Sequence, residues 1–161
     1  MTGEDRVLPS LPGTYALLLE LPGVTRIDVG GLGRLTFDAP VYLYAGSAFG
    51  PGGLAARLAH HLGRAARPHW HIDRLRRVAR VSQVWTTTDE RRLECAWSKA
   101  AASMRSARMV EGFGASDCRC VSHLVALPRA PSGSTFRRHL RGLAPRCGPI
   151  RRLTVARPFE E

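Results

Sequence analysis

The segment YLYAGSAFGPGGLAARLAHHL, residues 42–62, carries three kinds of side chain that can bind or act on an anion. Tyr44 lies near the end of an apolar run, and a glycine-rich loop separates it from Arg57 and His61. Arg57 and His61 are four residues apart, so on a helix both side chains project from one face. A guanidinium is a planar fork that fits phosphate oxygens, which makes phosphate a suitable ligand for this face. The alternative is that both side chains are solvated cations.

Two further residues, Tyr15 and Glu94, have positions that allow them to join this group. Tyr15 lies early in the first apolar run and Tyr44 late in another, so antiparallel pairing of the two strands would bring the phenols together. The alternative is that both are ordinary core or edge tyrosines. Glu94 borders an apolar helical stripe that includes Leu93 and Trp97. A carboxylate there is either exposed to solvent or directed into a cleft as a metal ligand.

Cysteine and histidine residues form a second group in the segment DCRCVSH. Cys118, Cys120 and His123 have a spacing that differs from that of standard zinc fingers, but His71 could complete a tetrahedral zinc site in space. The alternative is that the thiols are small buried apolar groups. His71 or Asp117 could instead line the active cleft.

The chain has four cysteines, and Cys95 and Cys147 are the two outside this segment. The N-terminus MTGEDRVLPS lacks the basic and apolar pattern of a signal peptide, so we expect a cytoplasmic protein without disulfides. No apolar stretch is long enough to span a bilayer, so no membrane partner is expected.

The charge of the chain predicts a polyanionic partner, most often a nucleic acid. Lys and Arg number 24 against 13 Asp and Glu, which gives a formal net charge of +11. Residues 118–159 contain no acid. Trp70 and His69 in HWHID could stack on bases or meet phosphates, although a buried tryptophan is the alternative. The residues expected to contact nucleic acid are Arg57, His69, Trp70, Arg119, Arg137, Arg138 and Arg141.

Periodicity and turn residues predict an α/β fold of the α+β type, with a small, mostly antiparallel sheet of about four to five strands covered by helices. Strands are expected at 13–21, 41–48, 80–88 and 121–128, with a hairpin at 25–37. Helices are expected from 54 onward with a stripe of Leu54, Leu58, Leu62 and Ala65, and at 69–80, 90–104 and 134–143. Thr88 or Asp89 should cap the third helix and Ser132 or Ser134 the last.

Length predicts one domain over residues 1–161. Its core is expected at about 13–127, and 128–161 should form a basic extension with one helix. The arginine-rich tail after Pro145 is expected to be loosely held.

The tripeptides GTY at 13–15 and YAG at 44–46, followed by Arg57, His61 and Glu94, resemble the pattern of the GIY-YIG nuclease superfamily. The longer segments YLYAGSA, HWHID and GFGASDCRCVSHL resemble its Uri-like branch, and the resemblance spans about 13–127. The chain departs from the pattern at the middle residue of each tripeptide. It also has Ser47 where some relatives carry a lysine, and it contains no asparagine.

This resemblance implies a metal-dependent endonuclease that hydrolyses DNA phosphodiester bonds in DNA repair or processing. Glu94 would bind Mg²⁺ or Mn²⁺, and Tyr15 or Tyr44 would activate or position the attacking water. Arg57 would stabilise the transition state and His61 would share the proton transfer.

The substrate would be DNA, including branched or single-stranded forms, and a partner protein or a homodimer could supply further DNA contacts. The alternative function is a non-catalytic nucleic-acid-binding module of the same fold, stabilised by zinc. A thiol or redox protein is a third class, without a Cys-x-x-Cys motif to support it.

Overall fold

The computed structural model describes residues 8–63, 67–115 and 118–156. The strands are β1 (Gly13–Glu20), β2 (Thr25–Asp28), β3 (Arg34–Phe37), β4 (Val41–Ala48), β5 (Arg80–Thr87), β6 (Arg108–Met109), β7 (Leu124–Leu127) and β8 (Arg151–Thr154). The helices are α1 (Gly53–Leu62), α2 (His71–Leu75), α3 (Glu94–Ala102) and α4 (Gly133–Leu140). No described helix is long and apolar enough to cross a bilayer.

The predicted α+β class is confirmed, with a larger sheet than expected. A six-stranded sheet has the order β6-β7-β4-β1-β5-β8, and its neighbours all pair antiparallel. The predicted hairpin is also confirmed: β2 and β3 form a separate two-stranded sheet joined by a 3₁₀ turn at Gly30–Leu32.

Both faces of the main sheet are buried, and the successive apolar residues of β1 contribute to a core on each face. Leu17 and Leu19 enter a first core with α1 and α2. Leu18 enters a second core on the opposite face, where Trp85 and Trp97 pack with α3 and α4. Side chains alternate along a strand, so an unbroken apolar run indicates a strand covered on both faces.

Helix α1 begins at the glycine-rich loop after β4. Gly52 and Gly53 have φ angles of 81° and 59°, a region that side chains disfavour. A β-carbon on Gly53 would also overlap the backbone of Leu11. The predicted stripe is confirmed at Leu54 and Leu58, which are buried, while Ala65 lies outside the described residues.

Two predicted helices are shorter in the structure. The helix expected at 69–80 is limited to α2, because the chain passes through turns after Leu75 and enters β5 at Arg80. The helix expected at 90–104 begins only at Glu94. The prediction that Thr88 or Asp89 caps it was wrong, because the Asp89 carboxylate accepts from Arg91 and from the Gly148 amide instead.

The C-terminal region is integrated into the fold. Ser132 caps α4 as predicted, accepting from the Thr135 amide at 3.1 Å. The expectation of a loosely held tail was wrong for Arg151–Thr154, because this segment pairs with β5 as strand β8. Sequence reasoning also missed β6, a strand of only two residues.

Candidate active site

Tyr15 and Tyr44 lie on neighbouring strands and on the same face of the sheet. In the β1–β4 register Tyr15 is opposite Gly46 and Leu17 is opposite Tyr44. The ring centroids are 6.5 Å apart and both residues are buried in the first core. The prediction that antiparallel pairing brings the phenols together is confirmed.

Two glycines make room for these rings. Gly46 faces the Tyr15 phenol so closely that a β-carbon on Gly46 would overlap the ring and its hydroxyl. Gly114 has a φ of 69°, and a β-carbon there would lie 2.9 Å from Cε2 of Tyr44. Contacts this short are not tolerated by real β-carbons, so both phenols depend on the absence of a side chain opposite them.

His61 extends from α1 into the first core and contacts Tyr15. Its Nε2 atom lies 2.7 Å from the Tyr15 hydroxyl, and the residue is only 1% exposed. Burial lowers the pKa of His61 from 6.5 to about 3, although the nearby Asp73 carboxylate acts in the opposite direction. The imidazole is therefore neutral at pH 7, and it can accept the Tyr15 hydroxyl proton at Nε2.

Asp73 lies behind His61 and was not singled out from the sequence. The Nδ1 atom of His61 lacks a hydrogen-bond partner among the described residues, and Asp73 Oδ1 is 3.9 Å from it. The carboxylate accepts from His60 Nε2 at 3.0 Å and from the backbone N–H groups of His69 and Trp70 at 2.8 and 2.9 Å.

The signal for Asp73 was present in the HWHID segment. An acidic residue at the third helical position accepts from the N–H before the helix, as in half of a capping box. Burial acts to raise the pKa of Asp73, but the donated hydrogen bonds bring it below its usual value.

His60, His61 and Asp73 also place ligand atoms within 4.8 Å of one another, close enough to hold a metal ion. The carboxylate oxygens are already engaged by His60 and by backbone N–H groups. The contacts therefore favour orientation of the imidazoles over ion binding.

Arg57 lies one turn before His61 on α1, as predicted. Its guanidinium carbon is 4.5 Å from the centroid of the Trp70 ring, a cation–π contact. Arg57, His60 and Trp70 line a cavity of about 160 Å³ together with Gly50 and Gly53. A cation held beside open space is suited to binding a phosphate.

The two phenols remain protonated in the structure. Burial raises the pKa of Tyr15 and of Tyr44 well above the ordinary value of 10. The charge of Arg57 opposes this rise at both residues, which was predicted, but burial is the larger effect. His61 adds no cationic charge while it is neutral, so the predicted help from His61 in lowering the phenol pKa is not found.

Glu94 is the first residue of α3, a helix that packs in the second core. The Leu93 amide donates to Thr14 Oγ1 at 3.1 Å. This bond holds the start of α3 against β1 at Thr14, the residue before Tyr15. Burial raises the pKa of Tyr44 and lowers that of His123, and the negative charge of Glu94 acts in the upward direction at both residues. One carboxylate oxygen is buried without a hydrogen-bond partner in the part of the chain that the structure describes.

The Cys/His group lies next to Glu94 and has a different composition from the predicted one. Cys95, Cys118, Cys120 and His123 place their ligand atoms within 4.8 Å of one another, so this group could hold a metal ion. Nε2 of His123 lies 3.3 Å from the Cys118 sulfur and 3.5 Å from the Cys95 sulfur. Three thiolates and one imidazole suit a tetrahedral site.

Two expectations about this group were wrong. His71 accepts from the Gly114 amide at 3.0 Å and does not join the group; Cys95 takes the fourth position. Disulfides were not expected, but Cys95 and Cys120 are paired as one in this structure. Asp117, the other candidate for the cleft, lies outside the described residues.

The residues predicted to contact nucleic acid lie in different places. Arg57 and His69 both contact Trp70, with the His69 and Trp70 rings 4.6 Å apart, and the Trp70 ring centroid lies 5.8 Å from that of His61. Arg119 is exposed on the loop of the Cys/His group. Arg137 and Arg138 on α4, and Arg141 directly after it, are also exposed, and α4 packs in the second core across the sheet.

The fold and the site define a small α+β domain in which a buried phenol–imidazole cluster lies beside a group able to hold a metal ion. The chain belongs to the family described as Domain of unknown function DUF123, which matches residues 14–143. The match includes both side-chain groups. No curated protein and no solved structure matches the chain.

Replacement Gly46→Ala tests the packing around Tyr15. The added methyl would displace the phenol from His61, so we expect a loss of about 1 to 3 kcal/mol in the free energy of unfolding, measured by urea denaturation. Gly23→Ala is the control, because nothing lies within 4 Å of a β-carbon there. Equal stability of the two variants would contradict the described contact.

Protonation of buried His61 should make the fold acid-sensitive. The unfolded state binds the proton near pH 6.5 and the folded state only near pH 3, so stability falls as pH decreases between these values. The contribution of His61 is at most about 1.4 kcal/mol per pH unit. We expect His61→Asn to reduce the slope of unfolding free energy against pH. An unaltered slope in His61→Asn would mean that this imidazole is not buried in the neutral form.

Proposed function

We propose that the protein is a metal-dependent endonuclease that hydrolyses DNA phosphodiester bonds at the cluster of Tyr15, Tyr44, Arg57, His61 and Glu94. The observation that carries the proposal is the 2.7 Å contact between the Tyr15 hydroxyl and His61 Nε2, with Tyr44 and Arg57 beside it. Hydroxyl and imidazole groups in direct contact can move a proton together.

Tyr15 and His61 would remove the proton from the attacking water. The Tyr15 oxygen takes the proton of the water as its own proton passes to His61 Nε2, so the phenol needs no preformed negative charge. An incoming phosphate brings negative charge close to His61 and raises its pKa, which favours this transfer. The direct hydrogen bond supports Tyr15 over Tyr44 for this role.

Arg57 would bind the phosphate that is cleaved. Its guanidinium lies over Trp70 and faces the cavity of about 160 Å³ beside the glycine-rich loop. The contact with Trp70 limits the orientations of the side chain, so the cation is held in place before the substrate arrives. A fixed positive charge stabilises the additional negative charge of the transition state.

Glu94 would hold the divalent cation, Mg²⁺ or Mn²⁺. A buried carboxylate oxygen without a hydrogen-bond donor is costly unless a cation or another donor meets it, which supports a ligand role. Hard divalent ions prefer such oxygen ligands. When bound, the ion would act as a Lewis acid on the phosphate and its leaving oxygen.

A cleavage screen tests this proposal. Supercoiled, branched and single-stranded DNA are incubated with the protein and Mg²⁺ or Mn²⁺. We expect nicking that falls by about 10²–10³-fold in Tyr15→Phe, Arg57→Ala and Glu94→Gln, because each loses a group that acts in the transition state. Glu90→Gln is the matched control, since Glu90 is an exposed acid four residues before Glu94. Binding without cleavage of any substrate would reject the enzyme in favour of the second function.

The second candidate is a non-catalytic nucleic-acid-binding module stabilised by zinc. The observation that favours it is the Cys95, Cys118, Cys120 and His123 group, whose three sulfurs and one imidazole are the donor set of structural zinc sites. Zinc at this position requires reduced thiols, so it and the Cys95–Cys120 disulfide are alternative states of one group.

Elemental analysis of the reduced protein tests the zinc assignment. We expect one zinc ion per chain, lost in Cys118→Ser and retained in Cys147→Ser, because Cys147 lies in the second core away from the group. Removal of the ion by a chelator should lower the melting temperature of the wild type. Reduced protein free of zinc, with thiols that reoxidise to the disulfide, would contradict the assignment.

A further inference from the structure

A larger cavity lies on the opposite side of the main sheet from the phenols. Its volume is about 480 Å³, and it is bounded by the segment that follows α3, the loop that follows β7, and α4. Apolar walls are supplied by Met104, Leu127 and Pro131. Met104 and Leu127 belong to the second core, which separates this cavity from the tyrosine–histidine cluster.

Three arginines line this cavity and have no counterion among the residues that the structure describes. Arg105, Arg129 and Arg138 are exposed, and none of them forms a hydrogen bond or ion pair with a residue in 8–63, 67–115 or 118–156. No acid is present among the described residues that line the cavity, and His139 is a fourth basic group. Like charges around one partly enclosed space repel one another, and a bound anion would offset that repulsion.

The first turn of α4 adds to the positive potential. It has the sequence Gly-Ser-Thr-Phe without an acid, and the Ser132 and Thr135 hydroxyls line the cavity. The amino end of a helix carries a partial positive charge. The Ser132 hydroxyl is engaged in the cap, where it donates to Thr135 Oγ1 and accepts from the Thr135 amide. The donors of the type that binds phosphate oxygens are therefore the guanidinium groups.

We propose that this cavity binds a phosphate ester, supplied either by a free nucleotide or by a nucleic-acid strand. Its volume is within the range of small-molecule sites, and its apolar walls suit a sugar or base attached to the phosphate. The inference does not depend on cleavage at the phenol cluster. It assigns a role to part of the acid-free, arginine-rich region that the proposed active site leaves without one.

Binding measurements without added divalent cation test the proposal separately from the nuclease activity. The double variant Arg105→Gln/Arg138→Gln is compared with Arg26→Gln/Arg34→Gln, which removes the same charge from the exposed β2–β3 hairpin. The probes are adenosine 5′-monophosphate, followed by calorimetry, and a short fluorescent oligothymidylate, followed by anisotropy at several salt concentrations.

We expect the cavity variant to bind at least one probe about tenfold or more weakly than the hairpin variant. For the oligonucleotide, the slope of log affinity against log salt should decrease by about 0.7 for each arginine removed. If the cavity variant binds both probes more weakly, the site accepts free nucleotides. If it binds only the oligonucleotide more weakly, the site binds the phosphates of a strand. Equal binding by the two variants, or no binding of either probe by the wild type, would overturn the proposal.

Discussion

Antiparallel pairing of β1 with β4 is the constraint on which the candidate site depends. The register places Tyr15 opposite Gly46 and keeps Tyr44 on the same face two rows away. Side chains alternate along a strand, so a shift of one residue would send one phenol into the second core against α3. Leucines on both faces of β1 oppose such a shift, because it would move Leu17 and Leu19 from the first core to the second and Leu18 in the opposite direction. Stability of the sheet and geometry of the site therefore have the same origin.

The site is polar inside an apolar core, and its groups are stabilised by contacts with one another. The Tyr15 hydroxyl meets His61, while Asp73 lies behind the imidazole and is itself fixed by His60 and two backbone N–H groups. Buried polar groups are costly when unpaired. Four buried side-chain atoms of the described residues lack a hydrogen-bond partner, and Nδ1 of His61 and one oxygen of Glu94 are two of them. Both belong to the proposed active site, where an incoming ligand or ion would change their surroundings.

The Cys/His group and the proposed catalytic group are joined by the chain itself. Cys95 follows Glu94 at the start of α3, and the backbone oxygen of His123 accepts from the Ala45 amide, next to Tyr44. A metal ion held by Cys95 and His123 would therefore tie the start of α3 to the strand that carries Tyr44. The zinc group of the second candidate function would then support the residues of the first. A structural ion would fix the position of Cys95, and with it the position of the adjacent Glu94.

Local sequence determined the elements whose signals lie within a few residues: the apolar strands, the α1 stripe, the β2–β3 hairpin and the Ser132 cap. The resemblance to the GIY-YIG pattern, which is read from the sequence, also indicated Tyr15, Tyr44, Arg57, His61 and Glu94 as candidates. Tertiary structure alone decided that Cys95, not His71, joins Cys118, Cys120 and His123, because His71 on α2 accepts from the Gly114 amide instead. It also decided that the arginine-rich tail forms β8, since pairing with β5 is a long-range contact. The protonation of the phenols and His61 was likewise beyond the sequence, because burial, which depends on the whole fold, outweighs the neighbouring charges.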